Sequence, residues 1–428
     1  INSYEKAINL NPDYASAYSN KGQAHQELNQ HDVAITCYEK AIDLNPDFAE
    51  AYSNLGIAQQ ELKQYDAAIK SFRKAINIDP SYAAPYSNLG LTLQELNQLN
   101  EAISNYEKAI NLKNDYAQAL WNKALAKILL GEYEEGWQLY EWRWKSGQKD
   151  TFRNFKEPLW LGQEPIKDKV ILIHAEQGLG DSIQFCRYIS MVESLGPKQI
   201  LLEVPMVLMT FLSSLNVRFN LIEQGHSIPK FDLQCPMMSL PYAFKTNLNN
   251  IPAAIPYLYA DKEKTKYWAN KLGIKTAPRV GLVWSGSTGH KNDHNRSLLL
   301  KQLAPLFELE FEFHCLQKEI RPVDLDAMNN LKAIHLHEDD LIDFSDTAAL
   351  VENLDLVITV DTSVAHLAGA MGKKVFILLP FAPDYRWMLD TNESPWYPTA
   401  TLIRQPNLDD WNHVIKQLKL ILISLIEK

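Results

Sequence analysis

The spacing of apolar and polar positions changes character near residue 148. Before that point, aromatic and small residues return every 34 positions. Tyr18, Tyr52, Tyr86 and Leu120 hold one slot, and Gly22, Gly56, Gly90 and Ala124 a second. Tyr38, Phe72, Tyr106 and Tyr140 hold a third, while Pro12, Pro46, Pro80 and Asn114 close each copy. A fixed period of this length predicts stacked units that bury their apolar faces against neighbours. After that point the repeat stops. Short β-branched apolar runs appear at 169–175, 199–204, 279–284, 312–316, 355–360 and 374–379. Helical patterns lie between them at Asp181–Leu195, Asp346–Leu354 and Ser363–Ala370. Buried apolar strands alternating with helices predict parallel sheets, which bind ligands at the carboxyl ends of their strands. Two sheets are expected, over 166–275 and 276–405, with TAPR (276–279) as the hinge. Residues 149–165 read as a linker, and 406–428 as a carboxyl-terminal helix whose apolar face docks.

The order of small and aromatic positions closed by Pro resembles the tetratricopeptide repeat. That resemblance implies two helices per copy, with the small residue admitting a close helix partner and Pro ending the second helix. The solenoid is expected to span 1–148, opening inside a truncated copy, so the chain is expected to be a fragment. The fourth copy decays into EGWQLYEWRW (135–144), whose Trp137, Tyr140, Trp142 and Trp144 read either as a joint to the next domain or as filling of the last helix. Asn20, Asn54, Asn88 and Asn122 recur at the repeat period. In the resembled fold this position faces the concave groove, where amides can pair with an extended peptide backbone without reading its sequence. Asn is also a common consensus residue at this position.

Composition narrows the partners. A net charge of −10 excludes a general polyanion binder, because nucleic-acid phosphates need clustered Lys and Arg. The four cysteines are scattered without Cys-x-x-Cys spacing, which fits a reducing, cytoplasmic setting. No apolar run reaches the ~18–20 residues of a membrane helix.

Three segments after strands carry candidate chemistry. HAEQGLGDSIQF (174–185) contains Gly178 and Gly180, expected to turn the backbone tightly. Ile183 stands where a dinucleotide fingerprint has its third glycine, which argues against an NAD site. Asp181 reads either as the helix N-cap or as a carboxylate placed to accept a proton. TVDTSVAHLAGAMG (359–372) offers Asp361, Thr362, Ser363 and the amide of Val364 at a helix start, an arrangement that favours phosphate, with His366 one turn in. WSGSTGHKNDHNRS (284–297) brings Lys291 and Arg296, suited to closing over a diphosphate. Gln317 is taken as support for the same site. Asp-Leu-Asp at 324–326 and His-Leu-His at 335–337 are read as loops and not as metal sites.

Together these segments resemble the two-domain GT-B glycosyltransferases, in particular the family 9-like group that includes bacterial heptosyltransferases. The resemblance covers about 166–405 and implies two Rossmann-like domains facing a cleft, behind an α-helical solenoid. It implies Asp181 as general base and donor-phosphate binding by Thr362, Ser363 and the following amides, with Lys291 or Arg296 as the cation. The implied reaction is inverting, metal-independent hexosyl or heptosyl transfer from a nucleotide sugar to a hydroxyl, with no cofactor. A similar asparagine ladder joined to a GT-B body occurs in the O-linked N-acetylglucosamine transferases, which points to a protein or peptide acceptor. A scaffold with an inactive or nucleotide-sensing body, and an enzyme acting on a glycan or lipid, are the alternatives. The aromatics of PFAPDYRWMLDTNESPWYP (380–398) either line a sugar or base pocket or brace the carboxyl-terminal domain.

Overall fold

The computed structural model describes residues 1–146, 152–290, 292–330 and 334–427. It separates into two compact units, Ile1–Leu130 with Gln138–Asp150, and Gly131–Trp137 with Thr151–Lys428.

The first unit is a helical solenoid. A lone helix, Asn2–Leu10, precedes the pairs Ala15–Glu27 and His31–Leu44, Ala49–Glu61 and Tyr65–Ile78, and Ala83–Glu95 and Leu99–Leu112. Ala117–Leu129 opens the fourth copy. The glycine period has a steric cause. A methyl group on Gly22 would lie 2.8 Å from Tyr38, one on Gly56 2.6 Å from Phe72, and one on Gly90 2.6 Å from Tyr106. Each ring therefore lies flat on its partner helix. The buried Tyr38 and Tyr106 hydroxyls donate back to Gln26 and Gln94. Second helices end at Asn11, Asn45 and Asp79, each extended as a residue before Pro must be. Lys113 adopts the same conformation before Asn114, so the stack imposes this exit without proline. A 3₁₀ turn, Glu141–Lys145, packs on the Ala117 helix. Its Arg143 is fully buried over the Tyr140 and Trp144 rings and pairs with Glu141 at 2.7 Å. Trp142 lies under Lys145.

The second unit holds two parallel sheets. One contains β1 (Val170–His174), β2 (Gln199–Val204), β3 (Asn220–Glu223) and β4 (Leu233–Pro236), in the order β3-β2-β1-β4. The other contains β5 (Arg279–Val283), β6 (Glu312–Cys315), β7 (Ile334–His335), β8 (Leu356–Val360), β9 (Val375–Leu379) and β10 (Ala400–Arg404), in the order β10-β9-β8-β5-β6-β7. Six strands match the apolar runs. β3, β4, β7 and β10 do not, because they are short or half-polar and all four are sheet edges. The expected helix from Asp181 begins earlier and breaks into Leu179–Phe185, a 3₁₀ turn Cys186–Tyr188 and Ile189–Ser194. The last helix starts at Trp411, capped by Asp410, and sets Trp411, Val414, Ile415, Leu418 and Leu422 into the six-stranded core. Tyr133 and Trp137 belong to this unit, where the Trp137 ring meets Phe185, Tyr385 and Trp396 edge-on.

Candidate functional site

The segments that follow β1, β5, β8 and β9 converge at the carboxyl ends of their strands. After β8, the helix Ser363–Ala370 begins with Thr362 as N-cap. The Thr362 hydroxyl makes no capping bond; it lies 3.0 Å from the Thr359 hydroxyl. Ser363 is half-buried at the first helical position. Val364 points into the core, and a methyl on Gly369 would strike Tyr397 at 2.4 Å. His366 is buried, stacks on Trp387 at 5.4 Å and sits 2.9 Å from the Tyr397 hydroxyl through Nδ1. Burial, reinforced by Arg386, Arg187 and Arg296, holds its pKa well below the ordinary imidazole range. It is therefore neutral, with Nδ1 engaged by Tyr397.

After β1, the helix Leu179–Phe185 is capped by Gly178, so Asp181 is the third helical residue and not the N-cap. Its Oδ2 accepts from the Gly178 N–H at 2.8 Å, and its Oδ1 pairs with Arg386. Burial raises the carboxyl pKa, with Arg386 opposing and Asp384 adding to the rise. The two glycines also depart from expectation. Gly178 has an ordinary extended backbone, φ −68°. Gly180 is required for approach: a methyl there would lie 2.6 Å from His366 Cδ2 and 3.4 Å from Ser363 Cα. The two motifs thus touch at this point instead of standing across an open gap.

After β5, the loop is pinned and not merely solvated. Gly286 N donates to Ser297 Oγ at 3.0 Å, Arg321 donates to Gly286 O at 2.7 Å and pairs with Asp293, and Ser297 Oγ reaches Asp293 at 2.8 Å. Arg296 lies flat against Gly286 and donates to the Asp361 carbonyl at 2.9 Å. Lys291 lies outside the described residues. Gln317 is spent on the loop itself, accepting from Trp284 N at 2.7 Å and Ser285 N at 3.0 Å and donating to Ser285 Oγ at 3.1 Å. It supports the loop and has no amide group left for a ligand. Asp324 is likewise structural, bound to the Trp284 indole at 2.9 Å and Leu300 N at 2.8 Å.

Sequence reasoning missed the residue at the centre. Arg386, after β9, is buried among Asp181, Asp384 (2.9 Å) and the Tyr385 hydroxyl (2.8 Å). Asp361 beside it is pushed up to about 6 by burial and then by Asp384, against Arg386 and Arg296. Arg187 was also missed. It is buried without a carboxylate and donates to Gln184 O (2.8 Å), Trp396 O (2.7 Å), Pro252 O (3.3 Å) and the Tyr257 hydroxyl (2.9 Å). The only sequence hint was an acid and an Arg together in an aromatic loop after a strand. Arg386 Nε is buried and unmatched, Arg296 Nε reaches only the Asp293 carboxylate at 3.7 Å, and the Trp387 indole faces the Asp361 carboxylate. His335 and His337 gain a third ring the sequence did not suggest, His314, at 3.1 Å from His337. Among the described residues no such group is arranged to hold a metal.

In the solenoid, Asn20 is exposed and Asn54 and Asn88 are half-buried. Asn122 is 5% exposed and accepts from Gln118 at 2.9 Å, which corrects its groove assignment. The 3₁₀ turn packed on its helix accounts for that burial.

Comparison with known proteins places the repeats. Residues 1–29 and 27–63 match a TPR repeat model, and 47–115 match a tetratricopeptide repeat model. The amino-terminal part of the chain is a tetratricopeptide-repeat solenoid, followed by an α/β region. Protein FlbA of Caulobacter vibrioides is 26% identical over 311 residues, covering 65% of this chain and 50% of FlbA. The chain thus spans about half the length of that relative. Among solved structures, MamA is 26% identical with a TM-score of 0.31, over 34% of this chain and 86% of its own. The first TPR of Spaghetti (RPAP3), bound to the HSP90 peptide SRMEEVD, is 26% identical with a TM-score of 0.26, over 26% and 90%. No helix among the described residues is long and apolar enough to cross a membrane.

Proposed function

We propose that the α/β unit is a GT-B-type glycosyltransferase that binds a nucleotide sugar at the start of the Ser363 helix and transfers the sugar to a hydroxyl of a peptide or protein held on the repeats. The observation that carries this reading is a pair of arginines beside a helix start, one of them buried with an N–H lacking an acceptor. Arg386, whose Nε has no acceptor, and Arg296 lie by Asp361, just before a helix start whose own first amides and dipole favour an anion. A buried guanidinium N–H without an acceptor is costly unless a ligand rich in acceptor oxygens completes it. A diphosphate is such a ligand. Asp181 is the one carboxylate in the Leu179 helix and has a raised pKa, which suits a base. Inversion follows from a single displacement, and the arginines and helix dipole stabilise the leaving diphosphate without a metal. Asn20, Asn54 and Asn88 supply amides for an extended peptide. The four free, buried cysteines suit a reducing compartment such as the cytoplasm.

A second reading has one observation in its favour. Asp181 is doubly engaged, by the Gly178 amide and by Arg386, as a purely structural acid would be. In that case the body senses a nucleotide while the repeats act as a scaffold. Incubation with a panel of radiolabelled nucleotide sugars and cell lysate decides between them. Label transferred to protein, and lowered by about 10²–10⁴-fold in Asp181→Asn, supports the transferase. Nucleotide binding without transfer selects the sensor, and label appearing only in glycan or lipid selects that acceptor.

A further inference from the structure

Resting on the phosphate-site reading, we infer that Arg386 is an exchangeable counter-ion. It is held by Asp181 and Asp384 when no ligand is present, and moves to the ligand's phosphate, releasing Asp181. Three observations carry it. First, one guanidinium serves both acids, Asp384 through Nη1 at 2.9 Å and Asp181 through Nη2, while its Nε has no acceptor. Second, the charges do not balance locally. Asp181, Asp361 and Asp384 face Arg386 and Arg296, with His290 and the neutral His366 beside them. Third, Asp181 has a second anchor in the Gly178 N–H, so it keeps its place when the arginine leaves.

An anion at the Ser363 helix start competes with the two aspartates for one buried guanidinium. Charge-assisted pairs of this kind are strong enough that the exchange is a real competition. While paired, the cation holds the proton affinity of Asp181 below what burial alone would give it. Once Arg386 turns to the phosphate, the carboxylate is left in a buried setting beside new negative charge, and its proton affinity rises. Ligand arrival thereby arms the base. The signature separates this role from a merely structural pair, because removing an acid should strengthen anion binding.

Inorganic pyrophosphate is the probe, titrated by calorimetry into the full chain in two buffers of different ionisation enthalpy. Arg386→Gln is expected to bind at least about tenfold more weakly, the loss of one charge-assisted contact. Asp181→Asn and Asp384→Asn are each expected to bind several-fold more tightly than wild type. Wild type should also take up more protons on binding than Asp181→Asn does. Asparagine keeps the shape at both positions, and a circular-dichroism melt confirms that each variant is folded. Equal affinity in wild type and both asparagine variants overturns the exchange while leaving the phosphate site standing. No pyrophosphate binding by wild type overturns both.

Discussion

Gly180 and His366 are in contact: a single methyl group on the glycine would sit 2.6 Å from the imidazole Cδ2. The contact joins the segment after β1 to the segment after β8, so two motifs far apart in sequence share one packing point. Gly180→Ala should therefore cost about 1–3 kcal/mol, the usual range for overpacking a filled interior. Gly289→Ala is the control, since its nearest neighbour would be Ser287 Oγ at 3.6 Å, and it should stay within about 0.5 kcal/mol of wild type. Urea denaturation measures both. Equal midpoints would mean that the two helices can part without cost.

The repeats make a parallel prediction. Gly56→Ala meets Phe72 at 2.6 Å and should destabilise by about 1–3 kcal/mol. Phe72→Leu frees that space at its own cavity cost. The double variant should thus be more stable than the sum of the two single losses, with a coupling above about 0.5 kcal/mol. A double-mutant cycle that closes additively would show that the ring and the glycine are independent.

Much of this architecture is readable in advance, for physical reasons that also explain what is not. The Gly22, Gly56 and Gly90 period is legible because each copy solves the same packing problem. The strands β1, β2, β5, β6, β8 and β9 are legible because burial on both faces leaves an apolar run. Thr362 and Ser363 are legible because a strand-to-helix turn is a local event. Arg386 is not, since its importance arises from Asp181, 205 residues away in the chain. Asn122 looks identical to Asn54 in the repeat register, and only the covering turn Glu141–Lys145 changes its role. His314 joins His335 through sheet register, which an apolar pattern does not encode.

Arg187 should behave as a neutral-acceptor clamp. Its guanidinium satisfies three backbone carbonyls and the Tyr257 hydroxyl and lies against the Tyr257 and Tyr397 rings. Arg187→Lys keeps the charge but cannot reach four acceptors in a plane, and should lose about 2–3 kcal/mol. Chemical denaturation tests this, and a loss under about 0.5 kcal/mol would contradict it.

Acid sensitivity should come from the stacked histidines. Burial first, then neighbouring positive charge, pushes His314 down to about 3 and His337 down to about 4. Both are neutral when folded, while the unfolded chain protonates them near the ordinary imidazole value of 6.5. The unfolded state then binds more protons, so stability is full above about pH 6.5 and falls as pH drops toward 4. Melting temperatures at pH 7.5 and pH 5 should differ in wild type, and less in a His314→Gln, His337→Gln variant. An unchanged slope would assign the acid loss to other groups.

Asp361 should act in the opposite sense. Burial and Asp384 raise it from 3.8 to about 6, so the folded state holds its proton where the unfolded chain has lost it. The contribution of this residue is fully present below pH 3.8 and is lost as pH rises through about 6. Asp361→Asn removes that loss. It should therefore stabilise the protein above pH 6 by about 1–3 kcal/mol and approach wild type below pH 4. Denaturant titrations of both proteins at pH 7.5 and pH 4 measure the difference. If the variant is less stable at pH 7.5, the charged carboxylate is stabilised by Arg386 and Arg296 beyond its desolvation cost. The negative charge would then be part of the resting site, and not a strain that ligand binding relieves.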